Sequence, residues 1–158
     1  KYAGPGGWND LDALQISNGP LDGISNNERQ TMMSFWAIEA SPLYLGDDLT
    51  RIDSFGLSLL TNKEVIAVDQ AGRAANPVSQ ATSQQVWFVK NSNGSYTVGL
   101  FNLGSSSATV KVNWSNLGFS GSATVRDLWS HRNLGSFSGS FSATLNTHAS
   151  RLLTVTHG

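Results

Sequence analysis

The chain has 158 residues, 39% of them hydrophobic and 13% charged, which is enough apolar material for one ordinary domain or two small ones. A net charge of −1 offers no basic footprint for nucleic acid or an anionic membrane, and the absence of cysteine excludes disulfide frameworks, thiolate metal sites and cysteine nucleophiles. No apolar run approaches the roughly 18 residues that span a bilayer, residues 1–20 carry no signal-peptide pattern, and five Trp, seven Phe and three Tyr argue against disorder.

Gly4-Pro5-Gly6-Gly7 is a turn signal, and Asn9 to Ile16 reads as a short extended or looped piece. Asn18-Gly19-Pro20 and Asp22-Gly23 mark further turns. Ser25, with Glu28 three residues on, has the spacing of a capping box. Met32, Met33, Phe35, Trp36 and Ile38 make the helix that follows a largely buried one, and Ser41-Pro42 predicts its stop. Leu43 to Leu45 reads as a buried strand feeding a polar loop at Gly46-Asp47-Asp48. A second helix is expected over Ile52 to Leu60, weakened by Gly56, and a third over Lys63 to Asp69, capped by Thr61 or Asn62. Helix, buried strand and helix form the grammar of a parallel α/β protein, yet one or two strands cannot close a parallel sheet. Residues 1–72 therefore read as a piece of a larger α/β domain.

From Val78 the period becomes two. Val86 to Lys90, Tyr96 to Phe101, Ala108 to Trp114, Ser122 to Leu128, Ser138 to Leu145 and Arg151 to Thr156 are strand candidates separated by Gly-, Ser- and Asn-rich turns. Six or seven short strands at this spacing predict an antiparallel β-sandwich over residues 73–158. The charge changes at the same boundary: residues 1–72 hold ten acids and four bases, while residues 73–158 hold one acid, Asp127, and six bases. Two structural units are expected.

Four acids are candidates for chemistry. Asp10 and Asp12 share a face if their segment is extended, whereas the adjacent Asp47 and Asp48 diverge. Paired carboxylates can run glycoside hydrolysis, and acids in such turns equally often cap backbone N–H groups. His131, His148 and His157 have no metal-ligand spacing, the serines lack a G-x-S-x-G context, and Gly4 to Gly7 lacks the Lys and Ser/Thr of a phosphate loop. Trp87, Trp114 and Trp129 could stack on sugars, which would make the sandwich a carbohydrate-binding module without catalysis, or they fill its core. Asn93-Gly94-Ser95 and Asn113-Trp114-Ser115 fit the glycosylation acceptor pattern.

Gly4-Pro5-Gly6-Gly7-Trp8-Asn9-Asp10-Leu11-Asp12 resembles the G-P-G-x-W-N-D-P-D-M-L motif of glycoside hydrolase family 27, the α-galactosidase family. The resemblance continues through Phe35 to Leu43, Asp48-Leu49 and Asn62 to Gln70. It implies the last portion of a (β/α)8 barrel over residues 1–72, with Leu43 to Leu45 as the eighth strand and Asp47 and Asp48 just beyond it. Residues 73–158 would be the family's C-terminal antiparallel β-sandwich. It also implies a retaining enzyme whose nucleophile and acid/base are Asp residues upstream of the W-N-D motif, so that this chain carries no catalytic residue of its own. Asp12 matches the position that reaches the sugar, and Trp8, Asn9, Asp10, Asp47 and Asp48 shape the pocket around it. No metal or cofactor is implied. The expected partners are the N-terminal remainder of the barrel and a galactoside-type carbohydrate, and a secreted enzyme is expected. Leu11 and Ala13 stand where the family has Pro and Met, which points to α-D-galactosides or the related β-L-arabinopyranosides, sugars alike in ring stereochemistry.

Overall fold

The computed structural model describes residues 3–158. Helix α1 (Asn26–Ile38) starts as the capping box predicts: Ser25 Oγ accepts from the Glu28 backbone N–H, and Glu28 reaches back to the Ser25 N–H at 2.7 Å. The helix stops before Ser41-Pro42, because Ala40 adopts a left-handed φ of 50°. The Ser41 N–H then bonds to the Trp36 carbonyl at 3.0 Å and the Ala40 N–H to that of Ala37 at 3.2 Å, a Schellman closure made with alanine instead of glycine. Helix α2 (Ser54–Leu60) begins later than the expected Ile52, because the Asp53 carboxylate caps it through the Gly56 N–H. Helix α3 (Lys63–Gln70) is capped by Asn62.

Leu43 to Leu45 is not the buried strand that its apolar run predicts. Leu14 and Leu45 form one isolated parallel bridge, with the Leu14 N–H on the Tyr44 carbonyl and the Gly46 N–H on the Leu14 carbonyl, both at 2.9 Å. Leu43 and Leu45 are half-buried and Tyr44 is exposed.

The rest of the chain forms eight strands: β1 (Asn76–Ser79), β2 (Gln84–Lys90), β3 (Tyr96–Asn102), β4 (Ala108–Asn113), β5 (Ser122–Asp127), β6 (Arg132–Ser138), β7 (Ser140–Leu145) and β8 (Ser150–His157). They make a six-stranded sheet in the order β1-β2-β3-β8-β5-β6, faced by the pair β4-β7, with every pairing antiparallel. The strand expected over Ser138 to Leu145 is β7, which starts at Ser140, and it is preceded by β6, a strand that the sequence pattern does not indicate. Gly139 takes a φ of 70°, so that β6 ends in one sheet and β7 begins in the other. Trp114 leaves β4 for a short 3-10 turn, is fully buried, and donates its indole N–H to the Phe137 carbonyl at 2.9 Å.

The centre of the large sheet, β3 and β8, is buried on both faces. Val98, Leu100, Leu153 and Val155 point into the space between the sheets with Val110, Val112 and Trp114. Phe101 and Leu152 join a second cluster with Leu14, Ile16, Met33, Ile38 and Val65 on the helical side. Every residue of β3 is consequently buried. Gly99 makes this possible: a Cβ there would stand 2.5 Å from Phe101 Cε2 and 3.2 Å from Ile38 Cδ1. Polar contacts reinforce the seam. Thr31 donates to the His148 carbonyl at 2.8 Å, Asn62 to the Leu128 carbonyl at 3.0 Å, and Arg126 grips Glu64 with two bonds of 2.7 and 2.8 Å.

Two acids on α3 give stability pH dependences of opposite sign. Arg126 hydrogen bonds bring the Glu64 carboxyl down to about 2, so its contribution, complete above its ordinary range, is lost as pH falls towards 2. Asp69 lies beside Leu14, Leu43, Leu45 and Ile66, and burial lifts its carboxyl to about 6. The folded state holds that proton more tightly than the unfolded chain does. Its contribution is therefore complete below the ordinary Asp value of 3.8 and is lost as pH rises through about 6. Asp69→Asn is expected to remove this downward slope from the stability–pH profile, measured by urea denaturation between about pH 4 and 7.

Candidate functional site

The turn at Gly4 to Gly7 closes with two backbone hydrogen bonds of 2.9 Å and leads into the acidic segment. Asp12 has a φ of 74°, a left-handed conformation that Asp tolerates because its short side chain bonds locally. Asp12 Oδ1 accepts from the Ala13 N–H at 2.6 Å, and Asp10 Oδ1 accepts from the Asp12 N–H at 2.9 Å. Trp36 of α1 donates its indole N–H to the Asp12 carbonyl at 2.8 Å. The Leu11 N–H, which a proline would lack, donates to Ser41 Oγ at 3.0 Å. Tyr44 points its hydroxyl at Asp10 Oδ1, 3.3 Å away. Burial, and then the negative charges of Asp10 and Asp12, raise the phenol above its ordinary range. Asp10, Asp12 and Tyr44 thus form one exposed acidic cluster whose backbone is pinned by Trp36 and Ser41. The cluster can accept several hydrogen bonds at once, which suits a ligand rich in hydroxyl groups.

Asp47 and Asp48 belong elsewhere. Asp47 Oδ2 accepts from the N–H groups of Ile16 and Ser17 at 2.9 and 2.8 Å and from Ser17 Oγ at 2.7 Å. Asp48 caps the short turn Leu49–Arg51 by accepting from Thr50 N–H and Oγ1, which lowers its carboxyl below the ordinary range. Both are occupied in holding loops, and both follow Leu45 along the chain, whereas Asp12 precedes Leu14, its bridge partner. Trp8 is 40% exposed and lies against Gly72 beyond the end of α3. Asn9 is half-buried beside it in sequence. Asp10 and Asp12 thus stand together in one cluster, Asp47 and Asp48 bond the loops that flank Leu45, and Trp8 packs at the end of α3.

Arg29 bonds the same Ile16–Ser17 segment that Asp47 holds, through the Ile16 carbonyl. It is 1% exposed. Its guanidinium donates to the Ile16 carbonyl at 2.8 Å, to Asn26 Oδ1 at 2.8 Å and to both Asp53 oxygens at 2.6 and 3.0 Å. It pairs with Asp22 at 3.1 Å and lies 5.1 Å from the Phe55 ring centroid. Burial pushes the Asp22 carboxyl above its ordinary range, and the nearby Asp47 adds to that push. Neither Arg29 nor Tyr44 stands out in the sequence. An arginine between Glu28 and Gln30 has the pattern of a solvated helix face, and Tyr44 sits in an apolar run.

Among the described residues, no group of three or more His, Asp or Glu side chains stands close enough to hold a metal ion. Among the described residues, no helix is long and apolar enough to cross a membrane.

Residues 1–71 match the family model described as alpha galactosidase A, and residues 81–155 match that of the alpha galactosidase C-terminal beta sandwich domain. The α-galactosidase of Cyamopsis tetragonoloba is 38% identical over 159 residues, covering 98% of this chain and 38% of that protein. The crystal structure of α-galactosidase I from Mortierella vinacea superposes with a TM-score of 0.90 at 36% identity, over 97% of this chain and 40% of that one. A GH27 β-L-arabinopyranosidase from Geobacillus stearothermophilus superposes with a TM-score of 0.89 at 32% identity, over 97% of this chain and 38% of that one. The chain spans less than half the length of these relatives.

Proposed function

Since the chain belongs to glycoside hydrolase family 27, the α-galactosidase family, we propose that it works as the closing part of a retaining hydrolase of terminal α-D-galactosides or β-L-arabinopyranosides. The observation that carries this reading is the match of both halves, in order, to consecutive parts of α-galactosidases. Asp12 is the sugar-binding residue. Its carboxylate stands beside Asp10 and Tyr44 on a backbone held in an unusual conformation, a fixed array of acceptors for sugar hydroxyls. Trp8, Asn9 and Asp10 shape the approach to it, while Asp47 and Asp48 act at a distance by fixing the loop after Leu45.

The nucleophile and the acid/base belong to the barrel segment that precedes this one, so the chain alone is inactive. That segment is its principal partner. In the assembled barrel one carboxylate attacks the anomeric carbon while the other protonates the leaving oxygen, and water then releases the sugar from the covalent intermediate. The low charge and polar β half suit a secreted enzyme.

The choice of sugar turns on the surroundings of Asp12. Ala13 is small, and its Cβ lies 3.1 Å from where a Cβ on Gly46 would stand, so two loops meet closely there. The test compares 4-nitrophenyl α-D-galactopyranoside with 4-nitrophenyl β-L-arabinopyranoside, hydrolysed by this chain continuous with its barrel. One of the two is expected to be cleaved with retention. Asp12→Asn, which preserves the left-handed backbone, is expected to lower kcat/KM roughly 100-fold, the order expected when a charged hydrogen bond to substrate is lost. Turnover of neither glycoside, or an unaltered Asp12→Asn enzyme, would refute the assignment.

A further inference from the structure

The three tryptophans of the sheet half have different fates. Trp114 is fully buried. Trp87 meets Phe35 edge-on, with ring centroids 5.0 Å apart, and borders a cavity of about 590 Å³ whose walls include Met32, Phe35, Trp36 and Phe101. Trp129 instead lines a cleft of about 470 Å³ between the first half of α1 and the ends of β5 to β8, and polar side chains dominate its walls.

Local bonding fixes the Trp129 ring. Its indole N–H donates to Ser34 Oγ at 2.9 Å, and Ser34 itself is fully buried on α1. The backbone N–H groups of Trp129 and Ser130 donate to Asp127 Oδ1 at 3.0 and 2.9 Å. Asp127 Oδ2 takes Arg151 at 2.6 Å, so this buried acid is already neutralised. The ring therefore needs no ligand to hold its place. Around it, Asn27 and Gln30 donate amide N–H groups to the Thr147 and Ser150 carbonyls, which leaves their amide oxygens as acceptors. Arg132 lines the same cleft, is exposed, and makes no ion pair among the described residues, which leaves its guanidinium donors available.

A rigid indole next to amide acceptors and a guanidinium fork matches one ligand chemistry well. The C–H face of a sugar ring lies on an aromatic plane while its hydroxyls bond planar polar side chains. The volume falls within the roughly 300–1,000 Å³ of small-ligand sites. We propose that the Trp129 cleft is a pyranose-binding site, separate from Asp12 and independent of where hydrolysis takes place.

The test is titration of the 158-residue chain with D-galactose, D-mannose and D-xylose, read by indole N–H resonances, with Trp129→Phe assigning the relevant signal. The Trp129 resonance is expected to shift saturably with at least one of these sugars, at a Kd on the order of 1 mM. Arg132→Ala, a change at an exposed side chain, is expected to weaken that binding about tenfold and to leave the denaturation midpoint unchanged. The proposal is overturned if no sugar gives a saturable shift. It is also overturned if binding is indifferent to Arg132→Ala and disappears in Asp12→Asn, because the sugar would then occupy the acidic cluster.

Discussion

Arg29→Met is expected to cost about 3–5 kcal/mol of stability, the range for leaving a buried acid without its partner. The side chain gathers three stretches of chain. It holds the Ile16 carbonyl at 2.8 Å, the Asp22 carboxylate at 3.1 Å and the Asp53 carboxylate at 2.6 Å. Asp22 is as inaccessible as Arg29 itself, with a side chain 2% exposed. Methionine would fill the space and leave that acid stranded next to Asp47. Asp53 would suffer less, since its side chain is 37% exposed and can turn to water. The double variant Arg29→Met/Asp22→Asn should therefore recover part of the loss. Lysine should not restore it all, because a single ammonium cannot reach four acceptors placed for a planar fork. Urea denaturation of the three variants checks this, and a loss below about 1 kcal/mol for Arg29→Met would mean that the cluster is solvated.

Gly56→Ala is the second large effect, and its sign opposes helix propensity. In an exposed helix the change stabilises by about 0.5–1 kcal/mol. Gly56 is in α2, and a Cβ there would stand 2.4 Å from the Ser17 Cα, 2.8 Å from the Ser17 Cβ and 2.9 Å from Arg29 Nη2. The first of these is backbone and has no rotamer to change. The helix would have to lift away from the Ile16–Ser17 segment, which loosens the Arg29 contacts and the Asp53 cap together. We expect a loss of about 2–3 kcal/mol, at the upper end of overpacking costs. A stability equal to or above that of the native chain would contradict the packing described for α2.

The elements legible in the sequence are those whose causes are local. The Ser25–Glu28 box and the Asn62 cap need only neighbours three residues away, and both helices start where those signals stand. The change of period from Val78 likewise identifies the sheet half. What sequence reading misses depends on partners far along the chain. Strand β1 carries Pro77 and sits at a sheet edge, where few of its N–H groups need partners, so it is absent from the strand candidates. Strand β6 is the opposite edge, largely exposed, with Gly135 at a φ of 110° opposite a register shift, and it lacks a clean apolar alternation. Gly56 reads as a defect in a helix until the approach of Ser17 is known.

The candidate site divides in the same way. The acids are visible in the sequence, and the resemblance singles out Asp12 among them. Their pairing, Asp10 with Asp12 and Asp47 with Asp48, is visible too, but the partners of each pair are not, because they follow from the Leu14–Leu45 bridge. That bridge sets Ile16 and Ser17 against Asp47, while a turn stabilised by Trp36 sets Asp12 beside Asp10 and Tyr44. Tyr44 and Trp36 lie 34 and 24 residues from the groups they bond, separations that no local pattern encodes.

The most direct test of the central claim is 4-nitrophenyl α-D-galactopyranoside hydrolysis by the 158-residue chain alone and by the chain with its barrel segment supplied, with the native mass of each sample recorded. No turnover is expected from the species with the mass of the chain alone, and turnover is expected from the assembled species. Hydrolysis by the chain at its own mass would contradict this assignment, since the catalytic carboxylates would then lie within these 158 residues, with Asp10, Asp12, Asp47 and Asp48 the first suspects.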